Sequence, residues 1–245
     1  MNTLDLKPKL KYKQTCAICG DIVESEHDRY PYNEYPTICS ELCYKKAKER
    51  QEKKYYDEQI LKIPLKFRDI KADDKMAIDN YEKNLFITGK SGIGKTVLAS
   101  LIAKECIKNK IPFKWLSYSA FIMELQNLYR FDSESPFEVA EEISRYDGVL
   151  IIDDLGSEKL TDFVRQITYF LINEREQRML PIVITSNFSL EEIANQVDVR
   201  ISSRIAGMCK LIKLNGKDRR LDDNDKKWVR GDVSSKKLKP RSRIP

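Results

Sequence analysis

Asn84-Leu85-Phe86-Ile87-Thr88-Gly89-Lys90-Ser91-Gly92-Ile93-Gly94-Lys95-Thr96 is the stretch around which this 245-residue chain is organised. Leu85, Phe86 and Ile87 read as a buried strand and Val97-Leu98-Ala99 as the start of a helix, so a glycine-rich turn joins the two. The turn satisfies G-x-x-x-x-G-K-[ST] with Gly89, Gly94, Lys95 and Thr96. Three of the nine glycines, Gly89, Gly92 and Gly94, fall inside it. Glycine lets the backbone curl so that successive N–H groups converge on phosphate oxygens, and the helix N-terminus adds its positive end. The spacing therefore predicts a triphosphate cradle of Gly89, Lys90, Ser91, Gly92, Ile93, Gly94, Lys95, Thr96 and Val97. Lys95 would reach the β- and γ-phosphates, and the Thr96 hydroxyl would ligate Mg²⁺.

Strand and helix patterns alternate from there. Strands are expected at 84–88, 112–118, 148–153, 181–186 and 210–214, with helices at 94–109, 119–130, 136–146 and 161–178 and another from Ser189. Short apolar strands separated by helices predict a parallel sheet covered on both faces. Val149-Leu150-Ile151-Ile152 ends in Asp153 and Asp154. Next to a phosphate loop, the first acid is placed to hold Mg²⁺ and the second to orient or deprotonate water. Ile182-Val183-Ile184-Thr185-Ser186 ends on Asn187, whose amide would meet the γ-phosphate and the attacking water. Asn187 could instead cap the next helix, although Ser189 with Glu192 already forms a capping box.

The N-terminal region has a different character. Cys16 and Cys19 form a C-x₂-C pair, and Cys39 and Cys43 a C-x₃-C pair, which fits a tetrahedral Cys₄ zinc site. Few aliphatic residues lie between the pairs, so metal would supply most of the folding energy of this module, about 10–16 kcal/mol in small zinc modules. Four sulfur ligands leave no open position, which makes the site structural. His27, the single histidine, is a substitute ligand or a loop residue, and its uniqueness excludes chemistry needing two histidines. Cys106 and Cys209 read as core residues. A charged, Gly- and Pro-free segment from Ser40 to Ile60 predicts a helix leading to the nucleotide domain. The expected organisation is a zinc module over 1–46, a helical linker over 47–63, an ATPase domain over 64–218 and a basic tail over 219–245.

The formal charge of +6 is concentrated in residues 217–245, which hold eleven Lys/Arg against five Asp. Such a tail suits an anionic partner or is simply solvated. The first residues lack an apolar leader and no run approaches a membrane span, so a cytoplasmic protein without membrane contact is expected.

Together, the phosphate loop, the aspartate-pair strand, the Thr185-Ser186-Asn187 strand end and Arg200-Ile-Ser-Ser-Arg204-Ile resemble the AAA+ ATPases of the DnaC/DnaI helicase-loader and IstB group. The resemblance covers about residues 63–220. It implies an ASCE-type α/β fold that binds ATP and Mg²⁺, with slow hydrolysis stimulated by assembly. It also implies that Arg204 is a finger reaching a neighbour's γ-phosphate, that Arg200 supports the subunit contact, and that Arg220 is a sensor. The cysteine-rich N-terminus resembles that of DnaI-type and phage-encoded loaders, where this domain grips the replicative helicase. The implied function is ATP-dependent loading of a hexameric DnaB-type helicase onto single-stranded DNA by a homo-oligomer; the alternative is an IstB-like transposition helper. The second acid is Asp154 where most AAA+ enzymes have Glu, which argues against vigorous turnover. Two helices within 119–147 match the insertion that faces single-stranded DNA in relatives, making Tyr118, Phe121, Tyr129 and Arg130 either stacking and phosphate contacts or core. A small-molecule P-loop kinase is disfavoured because no arginine-rich lid segment is present.

Overall fold

The computed structural model describes residues 12–25, 41–70, 77, 79–81, 83–131, 135–216 and 218. The chain divides into two compact units, Met1–Lys62 and Ile63–Pro245. In the first, strands β1 (Tyr12–Thr15) and β2 (Ile22–Ser25) form an antiparallel pair, followed by helix α1 (Glu41–Ile60). α1 is charged along most of its length, and only Cys43 and Ala47 are buried on it, packed with Cys16. Among the described residues these three small side chains, with Ile18 and Tyr44 against them, make a meagre core.

The second unit is built on five parallel strands, β3 (Leu85–Thr88), β4 (Phe113–Ser117), β5 (Val149–Asp153), β6 (Ile182–Ser186) and β7 (Lys210–Lys213). Their spatial order is β4-β5-β6-β3-β7. Every residue of β3 and β6 is buried, as expected for central strands of a sheet covered on both sides. After a short α2 (Leu65–Arg68), the helices are α3 (Lys95–Lys108), α4 (Tyr118–Phe131), α5 (Pro136–Ser144), α6 (Asp162–Gln177), α7 (Leu190–Gln196) and α8 (Val199–Met208). Phe86, Leu150, Ile152, Ile182 and Ile184 share one core with residues of α4 to α8. The alternate residues Ile87, Ile151 and Val183 are equally buried, and α3 lies against β5 and β6. Two-residue alternation thus feeds both faces.

β3 sits where successive connections diverge: β6 pairs with one of its edges and β7 with the other. In open parallel sheets, ligands bind at the carboxyl ends of the strands flanking such a switch point. Those ends carry the phosphate loop, Asp153 and Asn187.

The opposite ends of the strands are fixed by an unexpected device. Arg175 of α6 is fully buried, and its guanidinium donates to the carbonyls of Ser144 (3.3 Å), Tyr146 (2.5 Å), Gly148 (2.5 Å) and Pro181. One cation thereby ties α6 to the segments entering β5 and β6. Burial lowers its pKa to about 10, so it stays charged at neutral pH. Arg175→Met should fill the space yet leave these carbonyls without their donors, and is expected to cost about 3–5 kcal/mol in denaturant unfolding. A loss below about 1 kcal/mol would show that the carbonyls find water instead.

Candidate functional site

The phosphate loop adopts the conformation its glycines allow. Gly94 caps α3 at φ 109°, a backbone position that L side chains rarely adopt. At Gly89 a Cβ would stand 2.6 Å from the Leu214 carbonyl oxygen, so no other residue fits. Lys95, 7% exposed, turns back over the loop: its Nζ donates to the carbonyls of Gly89 (2.8 Å) and Lys90 (2.9 Å) and to Asn187 Oδ1 (2.7 Å). Asn187 Nδ2 donates to Asp154 Oδ1 at 2.7 Å. One amide therefore links the loop lysine to the second acid. Ser189 makes the capping box with Glu192, which assigns the cap to the serine and leaves the Asn187 amide to the site.

Asp153 Oδ1 accepts hydrogen bonds from Thr96 Oγ1 (3.0 Å) and Thr185 Oγ1 (2.7 Å). Burial raises the Asp153 pKa, opposed by these hydroxyls and by Lys95. Ionising it in the nucleotide-free protein therefore costs native stability, a cost that disappears as pH falls through the raised pKa. Asp154 holds the left-handed region at φ 64°, with its N–H on Thr185 Oγ1 at 2.8 Å. A non-glycine residue kept there by its neighbours is a feature of functional sites.

A cavity of about 680 Å³ joins Ser91, Gly92, Gly94, Lys95, Thr96, Val97, Asp153, Asp154 and Asn187 to Lys66, Phe67 and Ile70. Its size suits a nucleotide. The chemistry fits Mg·ATP as well: a cationic amine over left-handed glycines would meet the phosphates, and the Thr96 and Asp153 oxygens are the hard donors Mg²⁺ prefers. The apolar wall of Phe67 and Ile70 was not anticipated from sequence. Nor was the Thr185 hydrogen bond to Asp153, which depends on the register that places β6 beside β5.

Arg204 and Arg200 lie one turn apart on α8. Arg204 is ion-paired with Glu176 of α6 and donates Nη2 to the Tyr169 hydroxyl at 3.0 Å. Arg200 donates to both carboxylate oxygens of Asp198 (3.1 and 2.9 Å), the residue that caps α8. The Tyr169 ring lies 4.8 Å from the Arg200 guanidinium and 5.2 Å from that of Arg204. Arg220 lies outside the described residues.

In the N-terminal unit, the sulfurs of Cys16, Cys19 and Cys43 lie within 4.8 Å of one another and could hold a metal ion. Ile18 N–H points to Cys16 Sγ at 3.4 Å, and Gly20 takes φ 83° to close the knuckle. Thiol donors at this separation suit zinc. Cys39 and His27 lie outside the described residues. Cys106 is core, whereas Cys209 is partly exposed at the core edge and burial pushes its thiol up to about 12. Two of the proposed stacking aromatics, Tyr118 and Phe121, are buried in the core, while Tyr129 is 71% exposed with its ring 5.9 Å from that of Phe163. The Arg130 side chain lies outside the described residues.

Fold and site together define an AAA+-type P-loop protein. A model of the family described as "IstB-like ATP binding protein" matches residues 50–227, and the chain belongs to this family. It is homologous to helicase loaders. Replicative helicase loader DnaI of Bacillus subtilis is 27% identical over 151 residues, covering 56% of this chain and 48% of that protein. Replicative helicase loader DnaC of Escherichia coli (strain K12) is 20% identical over 131 residues, covering 52% of this chain and 53% of that protein. The chain thus spans about half the length of the curated relatives it matches. A crystal structure of DnaI has the same fold, with a TM-score of 0.53 at 24% identity over 64% of this chain and 94% of that one. Among the described residues, no helix is long and apolar enough to cross a membrane.

Proposed function

We propose that this chain is an ATP-switched loader that places a hexameric DnaB-type helicase on single-stranded DNA in the cytoplasm, with slow Mg²⁺-dependent ATP hydrolysis. The observation that carries the reading is the continuous bridge Lys95–Asn187–Asp154 at the switch point of a sheet shared with helicase loaders. A bound nucleotide would draw Lys95 onto its phosphates and so pull on the amide that holds Asp154. Phosphate occupancy would thereby be reported to the acid that orients water. Thr96 and Asp153 would hold Mg²⁺, which supplies charge neutralisation on the phosphates. Asp154 would align a water for attack on the γ-phosphorus, breaking the bond to the bridging β–γ oxygen and yielding ADP and phosphate. Phe67 and Ile70 would flank the base. Arg204 would complete a neighbour's site within a homo-oligomer, with Arg200 steadying the contact, and Arg220 would add a sensor.

The N-terminal unit, with zinc on Cys16, Cys19, Cys39 and Cys43, would hold the helicase. The sulfurs already gathered on one knuckle and one helix support this. The family description favours a second reading, an IstB-like transposition helper that shares the motor but serves another client. One experiment separates them. Full-length protein should carry about one zinc per chain and co-elute with a DnaB-type helicase in ATP. Cys16→Ser with Cys43→Ser should lose both properties, by about 10-fold or more in affinity, while retaining ATP. Failure of the metal-replete protein to co-elute with the helicase would favour the second reading, and an absence of zinc would remove the metal assignment.

A further inference from the structure

Arg204 is already engaged by its own subunit. Its Nη1 is paired with Glu176 and its Nη2 donates to Tyr169, so both outer nitrogens of the guanidinium fork are in use. The Arg204 and Glu176 side chains are 30% and 31% exposed, within reach of an incoming partner yet shielded enough for the pair to have weight. A finger acts by bringing positive charge to a γ-phosphate as charge shifts in the transition state. A guanidinium neutralised by a carboxylate brings little, and the nitrogens that would bracket two phosphate oxygens are the ones already occupied. Arg200 differs: Asp198 holds it from the same helix, so it can stay put while Arg204 changes partners.

We propose that Glu176 is a latch that parks Arg204 on its own subunit, and that assembly exchanges this carboxylate for the γ-phosphate of ATP bound by the neighbour. Tyr169 is the positioning residue, its ring and hydroxyl steadying the guanidinium through the exchange. This rests on the reading of Arg204 as a residue acting between subunits. A neighbour holding ATP returns an anion for the one given up, whereas a neighbour holding ADP offers no γ-phosphate. The latch thus makes subunit association discriminate between the two nucleotides.

The test mixes full-length variants at concentrations where the wild type shows assembly-stimulated hydrolysis. Arg204→Ala keeps a working ATP site without a finger, and Asp154→Asn keeps the finger without turnover. Only the mixed interface should hydrolyse ATP. Adding Glu176→Gln to the finger-donating Asp154→Asn chain should raise the mixed rate about two- to fivefold, the size expected of a partly exposed ion pair. Adding it to the Arg204→Ala chain should change nothing, a placement effect that a merely structural role would not show. Glu176→Ala should act in the same direction, so a folding defect in one variant does not decide the outcome. No recovery in the Arg204→Ala plus Asp154→Asn mixture would sink the between-subunit reading itself. Recovery that Glu176→Gln leaves unchanged or lowers, or raises equally from either chain, would overturn the latch alone.

Discussion

Lys95→Ala should bind ATP about 30- to 5000-fold more weakly than the wild type, because a buried cation that meets the phosphates directly is worth about 2–5 kcal/mol. The loss has two sources. The phosphates lose their nearest positive charge, and the carbonyls of Gly89 and Lys90 and the Asn187 amide lose a shared donor. The second source acts without nucleotide, so the variant should also be less stable by about 1–3 kcal/mol. Titration with a fluorescent ATP analogue, paired with denaturant unfolding of the nucleotide-free protein, separates the two. Near-normal affinity in a well-folded Lys95→Ala protein would mean that the loop is structural and that the nucleotide, if any, sits elsewhere.

Arg204→Ala should do the reverse. Its contacts are with Glu176 and Tyr169, so the isolated subunit should bind ATP normally. Hydrolysis stimulated by assembly should fall by about 10³- to 10⁵-fold, the range over which an arginine supplied across an interface accelerates phosphoryl transfer. Steady-state phosphate release as a function of protein concentration reads this directly. The wild-type rate per subunit should climb with concentration while that of the variant stays flat. Weakened ATP binding by Arg204→Ala at low concentration would show that the residue serves its own site.

Much of the motor was legible because its signals are local. Glycine spacing, the Lys95-Thr96 pair, apolar runs ending in Asp153-Asp154 and in Asn187, and the Ser189–Glu192 box all lie within a few consecutive residues, and the motor's expected strands and helices start and stop within one or two residues of the stated bounds, whereas α2 and the break between α7 and α8 were not expected. What escaped notice depends on contacts distant in sequence. Thr185 belongs to the strand-end motif, yet its bond to Asp153 exists only because β6 lies beside β5. Phe67 and Ile70 reach the cavity from before β3, with no motif to flag them. Arg175 and Glu176 are charged, a residue type that usually faces solvent, although helical spacing puts Arg175 on the stripe of Val164, Ile167, Thr168, Leu171 and Ile172. What the spacing does not tell is which carbonyls would satisfy a buried guanidinium, or that Glu176 meets Arg204. Tyr118 and Phe121 show the converse: aromatic residues at helical spacing turned inward as core, and only Tyr129 remained outside.

Arg175 and Glu176 are consecutive, and that adjacency has a mechanical outcome. The first bolts α6 to the segments that lead into β5 and β6, so α6 behaves as a beam clamped near its C-terminal end. Releasing Arg204 from Glu176 therefore cannot be accommodated by sliding that beam; the give has to come from α8 or from the arginine's own rotamers. Load applied at Arg204 would be carried to the roots of the two strands whose tips bear Asp153 and Asn187. A subunit gripped by its neighbour would thus feel the grip through its own strands.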